Sequence, residues 1–325
     1  MTSNLYVTTA KIGEGSGGGI VALHESKALR AETVVSMNEE PPFMSDYLCL
    51  WKVRESKPYS IAHFNGAPFG LTAEYLKTKG TKIFTTIPAH NLERSIEEHL
   101  RIFGSYPYKH MTDPYLWHIY THHYQIADVV ICPSRTSADY IKKKLSLKNE
   151  PVIIRHGCRV PDQPSPLPEM FTVGHLGQVG PDKGQHYLLQ AWGMLALKAK
   201  LFLAGPGTEQ LGGVGRIQDE KVFHDSISIL VQPSVTEGYG IPVGDAMANG
   251  RPVIVTEGAG AHEIVEDGKE GFVIPIRDPL AIAEKIRYFY ENPSEITRMG
   301  NNARKKAQRY SWAKIEKEYE KVYEE

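Results

Sequence analysis

Cysteine is scarce in this chain. Its three residues, Cys49, Cys132 and Cys158, stand far apart. No pair has the spacing of a zinc cage or of a disulfide framework, so they read as reduced thiols. No run of about 20 apolar residues occurs, so no membrane-spanning helix is expected. Neither sign of charge prevails: 37 Lys and Arg face 38 Asp and Glu, a net charge of −1. That balance argues against nucleic acid as a partner, because a phosphate backbone calls for clustered positive charge. Met1–Asn4 leads into Leu5-Tyr6-Val7 with no basic stretch and no long apolar core. The sequence therefore predicts a cytoplasmic protein without a secretory signal. What remains is an ordinary globular composition, 41% hydrophobic and 23% charged over 325 residues. At roughly 150 residues per domain, that length suggests two domains.

Short β-branched runs alternate with helical patterns. Strands are expected at Leu5–Thr9, Thr33–Ser36, Ser60–His63, Lys82–Thr86, Val129–Cys132 and Val152–Arg155. The second half adds Thr172–Leu176, Lys200–Ala204, Ile227–Gln232, Pro252–Thr256 and Gly271–Ile274. Helical patterns fall between them, among them Gly19–Leu29, Asn91–Ile102, Tyr115–Ile126, Gln185–Leu197 and Ile241–Ala248. This alternation predicts an α/β fold with parallel sheets and right-handed crossovers. Val160–Pro168 holds four prolines in nine residues and reads as a linker. It divides the chain into residues 1–160 and 161–310, each with the strand–helix content of a doubly wound, Rossmann-like domain, and a charged helical tail at 311–325. Two such domains facing each other would enclose a ligand at their strand ends.

Gly13-Glu14-Gly15-Ser16-Gly17-Gly18 matches G-x-G-x-x-G between a strand and a helix, and Glu39 follows 26 residues after Gly13. This invites an NAD reading. Two features favour a different anion loop. Lys11 and Ile12 loosen the turn, and the glycines continue through Gly19, so that the helix begins at Gly17-Gly18-Gly19-Ile20. Glycines at a helix start let backbone N–H groups approach a phosphate.

The most specific segment runs from Val231 to Ile254. A strand ends at Gln232, a loop carries Glu237, and Pro242 and Gly250 sit where a helix starts and stops. The N–H groups of Gly240 and Ile241 then point out at the sheet's carboxyl edge, with a helix dipole of roughly half a positive charge behind them. That suits a diphosphate. Glu237 and Asp245, eight residues apart, could hold a polyol at either end of it.

This stretch resembles the carboxylate-x7-carboxylate element of family four, the retaining nucleotide-sugar glycosyltransferases of glycosyl transferases group 1. Gly17-Gly18-Gly19-Ile20 is similar to that family's Gly-Gly-Val loop, and Ala127–Ser134 to its last N-domain strand. Leu176–Gly184 resembles its phosphate loop, and Gly260–Gly268 and Tyr310-Ser311-Trp312 complete the order of motifs. The resemblance implies a GT-B architecture of two facing Rossmann-like domains, with the tail crossing back onto the first. It implies a hexosyltransferase that moves a sugar from a nucleoside-diphosphate sugar to an acceptor hydroxyl with retention, using no cofactor and no metal. Lys183 matches the lysine on the donor diphosphate, Glu237 the carboxylate at the transferred sugar, and Asp245 a glutamate that binds the ribose. Gln178, Gly240, Ile241, Gly17 and Gly18 fall on donor-binding positions, and His90 in a loop that often carries a histidine near the sugar. Two positions depart from the pattern. Gln178 brings no charge where an arginine is usual, and Asp245 is one methylene short.

Other features carry less. His118 and His122 share a helix face but lack the acid of an H-E-x-x-H site. Ile141–Leu145 with Lys148 forms a basic patch, read first as a solvated helix end and second as a peripheral membrane contact at the inner face. The acceptor stays open among a saccharide, a lipid-linked molecule and a small molecule. Loops around Gly13–Gly19, Pro41–Asp46 and Gly104–Pro114 are expected to contact it. The alternatives are a sugar-nucleotide epimerase of the same architecture, an NAD-dependent oxidoreductase, and a catalytically silent nucleotide-sugar binder.

Overall fold

The computed structural model describes residues 3–8, 10, 17–36, 42–56, 58–66, 69–87, 91–107 and 112–325. Their contacts gather the chain into two units, one of residues 1–89, 107–156 and 312–325, the other of residues 90–106 and 157–311.

The first unit begins with β1 (Ser3–Thr8), α1 (Gly17–Ala28), β2 (Thr33–Ser36), α2 (Pro42–Val53), β3 (Tyr59–Asn65), α3 (Gly70–Thr78) and β4 (Lys82–Thr86). Next in the chain comes α4 (Leu92–Phe103), which packs in the second unit. The first unit resumes with α5 (Pro114–Ile126), β5 (Val129–Cys132), α6 (Arg135–Lys144) and β6 (Val152–Ile153). Its six strands form one parallel sheet in the order β2-β1-β3-β4-β5-β6. Local chemistry sets the boundaries. Asp113 caps α5 through the N–H groups of Tyr115 and Leu116, with Pro114 in the first turn. Leu5, Val7, Ala62, Phe64 and Ile83 are fully buried at its core.

The second unit contains β7 (Thr172–Leu176), α7 (Gln185–Gly193), β8 (Lys200–Ala204), α8 (Glu220–Ser226), β9 (Ile229–Gln232), α9 (Ile241–Ala248), β10 (Val253–Thr256), β11 (Gly271–Ile274), α10 (Pro279–Glu291) and α11 (Pro293–Ala307). Its five strands are parallel, in the order β11-β10-β9-β7-β8. Every residue of β9 and β10 is buried, as helix-covered faces require, so these strands read as unbroken apolar runs rather than alternating ones. The last helix, α12 (Trp312–Glu324), belongs to the first unit and packs on α1. There the His24 ring stacks on Trp312 at 4.1 Å, and its Nδ1 lies 2.6 Å from Glu316 Oε1. At the next residue, the fully buried Glu25 accepts hydrogen bonds from Tyr6, Asn65, Thr86 and Tyr319.

The structure differs from the sequence reading at three places. Pro42 opens a helix where Pro41–Asp46 was expected as a loop, because a proline is tolerated in a first helical turn. A short helix, α8, precedes β9. The proline-rich stretch is not a free tether. Arg304 donates to the carbonyls of Pro161, Asp162 and Ala248, and the buried Arg251 to those of Pro166 and His224, which fixes the stretch to the second unit. Burial draws the Arg251 guanidinium down to about 10, and Asp225 opposes that shift.

Candidate active site

In the second sheet the first strand, β7, lies between β8 and β9, so the connections leave it in opposite directions. Open α/β sheets bind ligands in the crevice outside the strands' carboxyl ends at such a reversal. The two loops that rise there follow β7 and β9, and they carry Gln178 with Lys183 and Glu237 with Gly240.

These loops interlock through backbone. Asp182 O accepts the N–H groups of Val235 at 2.8 Å and Thr236 at 3.4 Å. Gly184 has φ +68, and a Cβ on it would stand 2.0 Å from Pro233 O, so the approach admits only glycine. A third loop, after β10, adds three more links: Glu237 N–H donates to Gly258 O at 2.9 Å, Gly260 N–H to Glu237 O at 3.1 Å, and Ala261 N–H to Tyr239 O at 2.7 Å.

The side chains meet at Glu237. Its Oε1 is 2.6 Å from Lys183 Nζ, and its Oε2 accepts from Gln232 Nε2 and Ser234 Oγ, both at 2.9 Å. Burial pushes this carboxyl up. The Lys183 ammonium, its hydrogen bond and that of Ser234 more than reverse the push, so Glu237 is held below the ordinary carboxylate range. Gly240 adopts φ +102 at the start of α9, and a Cβ there would stand 3.6 Å from Glu237 Oε2. Among the described residues the N–H groups of Gly240 and Ile241 have no hydrogen-bond partner. Cation, carboxylate and helix N-terminus thus converge at one sheet edge.

Other expected residues fall differently. Gln178 shares the Lys183 loop but is exposed, and its backbone oxygen, not its side chain, is engaged, by Gln185 Nε2 at 2.9 Å. Asp245, 4% exposed, turns Oδ1 to the N–H of Arg159 at 2.7 Å. Burial raises its carboxyl to about 7, with Arg159 opposing and Glu220 assisting. Gly17 and Gly18 open α1 in the first unit. His90 lies outside the described residues, as do residues 11–16 and Glu39 of the dinucleotide reading. His122 Nε2 is 2.7 Å from Glu74 Oε1, and among the described residues no cluster of three or more His, Cys, Asp or Glu could hold a metal. In the basic patch Lys142 pairs with Glu150 and Lys148 with Asp128. No described helix is long and apolar enough to cross a membrane.

Three supports of the site escaped the sequence reading. Gln232 and Ser234 hold the carboxylate; the one available signal was a polar residue closing the apolar strand Ile229–Gln232. His175, fully buried, bonds Val231 O through Nδ1 and Gln185 through Nε2, and Gln185 in turn reaches Gln178 O. Helix α4 also grips both loops: Asn91 N–H donates to Thr236 Oγ1 at 2.7 Å, and Ser95 Oγ to Asp182 Oδ2 at 2.9 Å.

The profile of the family described as glycosyl transferases group 1 matches residues 168–292, which hold both site loops. The chain is similar to that family over this segment. Among its relatives is an uncharacterized glycosyltransferase of Methanocaldococcus jannaschii, 30% identical over 215 residues, covering 61% of this chain and 60% of that protein. Another is the capsular polysaccharide biosynthesis glycosyltransferase CapM of Staphylococcus aureus, 29% identical over 177 residues, covering 48% and 47%. The chain thus spans about half to three fifths of the length of these relatives. Sucrose-phosphate synthase from Thermosynechococcus elongatus shares its fold at TM-score 0.81 and 17% identity, covering 99% of this chain and 98% of that one. Anabaena HepE, solved with UDP-glucose, does so at TM-score 0.75 and 17% identity, covering 98% of each. The chain therefore has two Rossmann-like domains of the GT-B type, as the sequence implied.

Proposed function

We propose that this protein transfers a hexose from a nucleoside-diphosphate sugar to an acceptor hydroxyl with retention. The Lys183–Glu237 pair, set at the sheet reversal beside the start of α9, carries this reading. Lys183 and the N–H groups of Gly240 and Ile241 supply positive potential where the diphosphate gathers charge, and Glu237 accepts hydroxyls of the transferred sugar. The C1–O bond to the β-phosphate breaks as the bond from C1 to the acceptor oxygen forms on the same face. The acceptor's proton passes to the departing phosphate oxygen. Asp245 binds the ribose with the oxygen that Arg159 leaves unused. His90 contributes near the sugar; its neighbour Asn91 is tied to Thr236, next to Glu237. The names of the relatives, and the UDP-glucose bound to HepE, support a nucleotide-sugar donor.

A thermal-shift screen against UDP-, GDP- and ADP-sugars tests the reading. A donor at 100 times its Kd should stabilise the fold by about 2.7 kcal/mol. Product analysis with that donor then separates a glycoside from the free isomer an epimerase would release. No shift and no donor consumption with any of the three would refute it.

A further inference from the structure

Glu237 is held by three donors, and they differ in kind. Lys183 is a flexible cation with 30% of its side chain exposed, on the loop after β7. Ser234 and Gln232, 0% and 1% exposed, lie on or next to β9 itself. The Gln232 amide donates both to Glu237 Oε2 and to Ser234 Oγ, each at 2.9 Å, while Ser234 Oγ donates to the same Oε2. The three atoms close a small ring of hydrogen bonds around one carboxylate oxygen. Amide orientation is inferred from such a network. Here the choice is forced, because the flipped amide would aim its oxygen at the carboxylate. The chosen orientation leaves Gln232 Oε1 buried without a partner. A buried unpaired carbonyl costs stability. Packing alone would favour an apolar side chain of the same shape, so the glutamine is kept against that cost.

We propose that Gln232 is a positioning residue: with Ser234 it fixes Oε2 of Glu237, so that when the donor diphosphate draws Lys183 away, Oε1 is presented to the transferred sugar. This inference rests on the glycosyltransferase reading above. It assigns the two carboxylate oxygens separate duties, one structural and permanent, one exchanged between the lysine in the free protein and a sugar hydroxyl in the complex.

Gln232→Met tests it, because the two accounts move opposite quantities. Methionine removes the donors and the orphaned acceptor together at similar volume. The positioning role predicts a folded variant with a Kd for the nucleoside diphosphate within about twofold of wild type and a kcat lowered by about tenfold or more. A merely structural role predicts a lower midpoint with kcat preserved. Gln232→Asn, which keeps the amide but withdraws it by one methylene, should give an intermediate kcat, and it decides the matter if the methionine variant does not fold. A wild-type protein that consumes donor, together with a variant whose kcat stays within twofold, overturns this inference alone. A wild-type protein that neither binds nor consumes any nucleoside-diphosphate sugar overturns the functional reading and this inference with it.

Discussion

Replacing Lys183 by alanine separates what the ion pair does for the fold from what the cation does for the reaction. The pair is 2.6 Å long, with 30% of the lysine and 17% of the glutamate side chain exposed, which puts it between a surface pair and a buried one. A fully buried carboxylate that loses its partner costs about 3–5 kcal/mol, whereas exposed pairs contribute about 0–1 kcal/mol. Glu237 would still keep Gln232 and Ser234 as donors. The expected loss of stability is therefore only about 1–2 kcal/mol at neutral pH. Loss of one donor to a developing anion costs about 10²–10³ in kcat, a larger effect. The pH dependence has a definite sign. Glu237 is depressed in the folded protein, so its contribution is present above the unfolded carboxylate value and disappears as pH falls through the folded one. The alanine variant lacks most of that contribution, so its deficit should be widest near neutrality and shrink in acid. Urea denaturation at neutral and acidic pH, together with donor turnover by phosphorus NMR, reads both quantities. Turnover within twofold of wild type, or a stability gap that widens in acid, would refute the reasoning.

Three further outcomes follow from the geometry. Gly184→Ala places a methyl 2.0 Å from Pro233 O at φ +68; it should destabilise by about 2–4 kcal/mol in urea denaturation and loosen the Lys183 loop. Asp245→Asn keeps an acceptor for Arg159 N–H and removes a group whose carboxyl is raised to about 7. Wild type should lose stability as pH rises from the unfolded Asp range through about 7, and the variant should not, so a parallel pair of curves would contradict the burial of Asp245. Glu98→Ala should cost about 2–4 kcal/mol, because the fully buried Glu98 accepts from His186, Tyr187 and Arg277, and its loss would leave Arg277 with Glu97 alone. A midpoint within experimental error of wild type would show that α4 is not anchored there.

Much of this was legible in the sequence. β-branched runs bounded by turn residues marked every strand, and Lys82–Thr86, Val129–Cys132, Thr172–Leu176, Lys200–Ala204 and Gly271–Ile274 match residue for residue. Parallel strands covered on both faces leave a strong apolar signature. Glu237 and Lys183 were visible because loop glycines and a helix-starting proline are short-range signals. The Gln232–Ser234 ring was not visible, because its closure depends on how a five-residue turn folds back. The attachment of α4 was hidden for a different reason. Its capping by Asn91 and its closure at Gly104 are local and readable, but Arg277, which holds Glu98, lies 179 residues away. Helix α2 was missed because adjacent prolines suggested a break where the second merely began a turn.

The membership of α4 bears on any attempt to divide this protein. A single cut within the proline-rich stretch would not yield two autonomous halves. The downstream fragment would lack residues 90–106, exposing the imidazole, phenol and guanidinium that surround Glu98. The upstream fragment would carry α4 as an unsupported amphipathic loop and lose α12 from the flank of α1. Split versions should therefore recover activity only when both pieces are present together, each supplying a helix that the other's sheet requires.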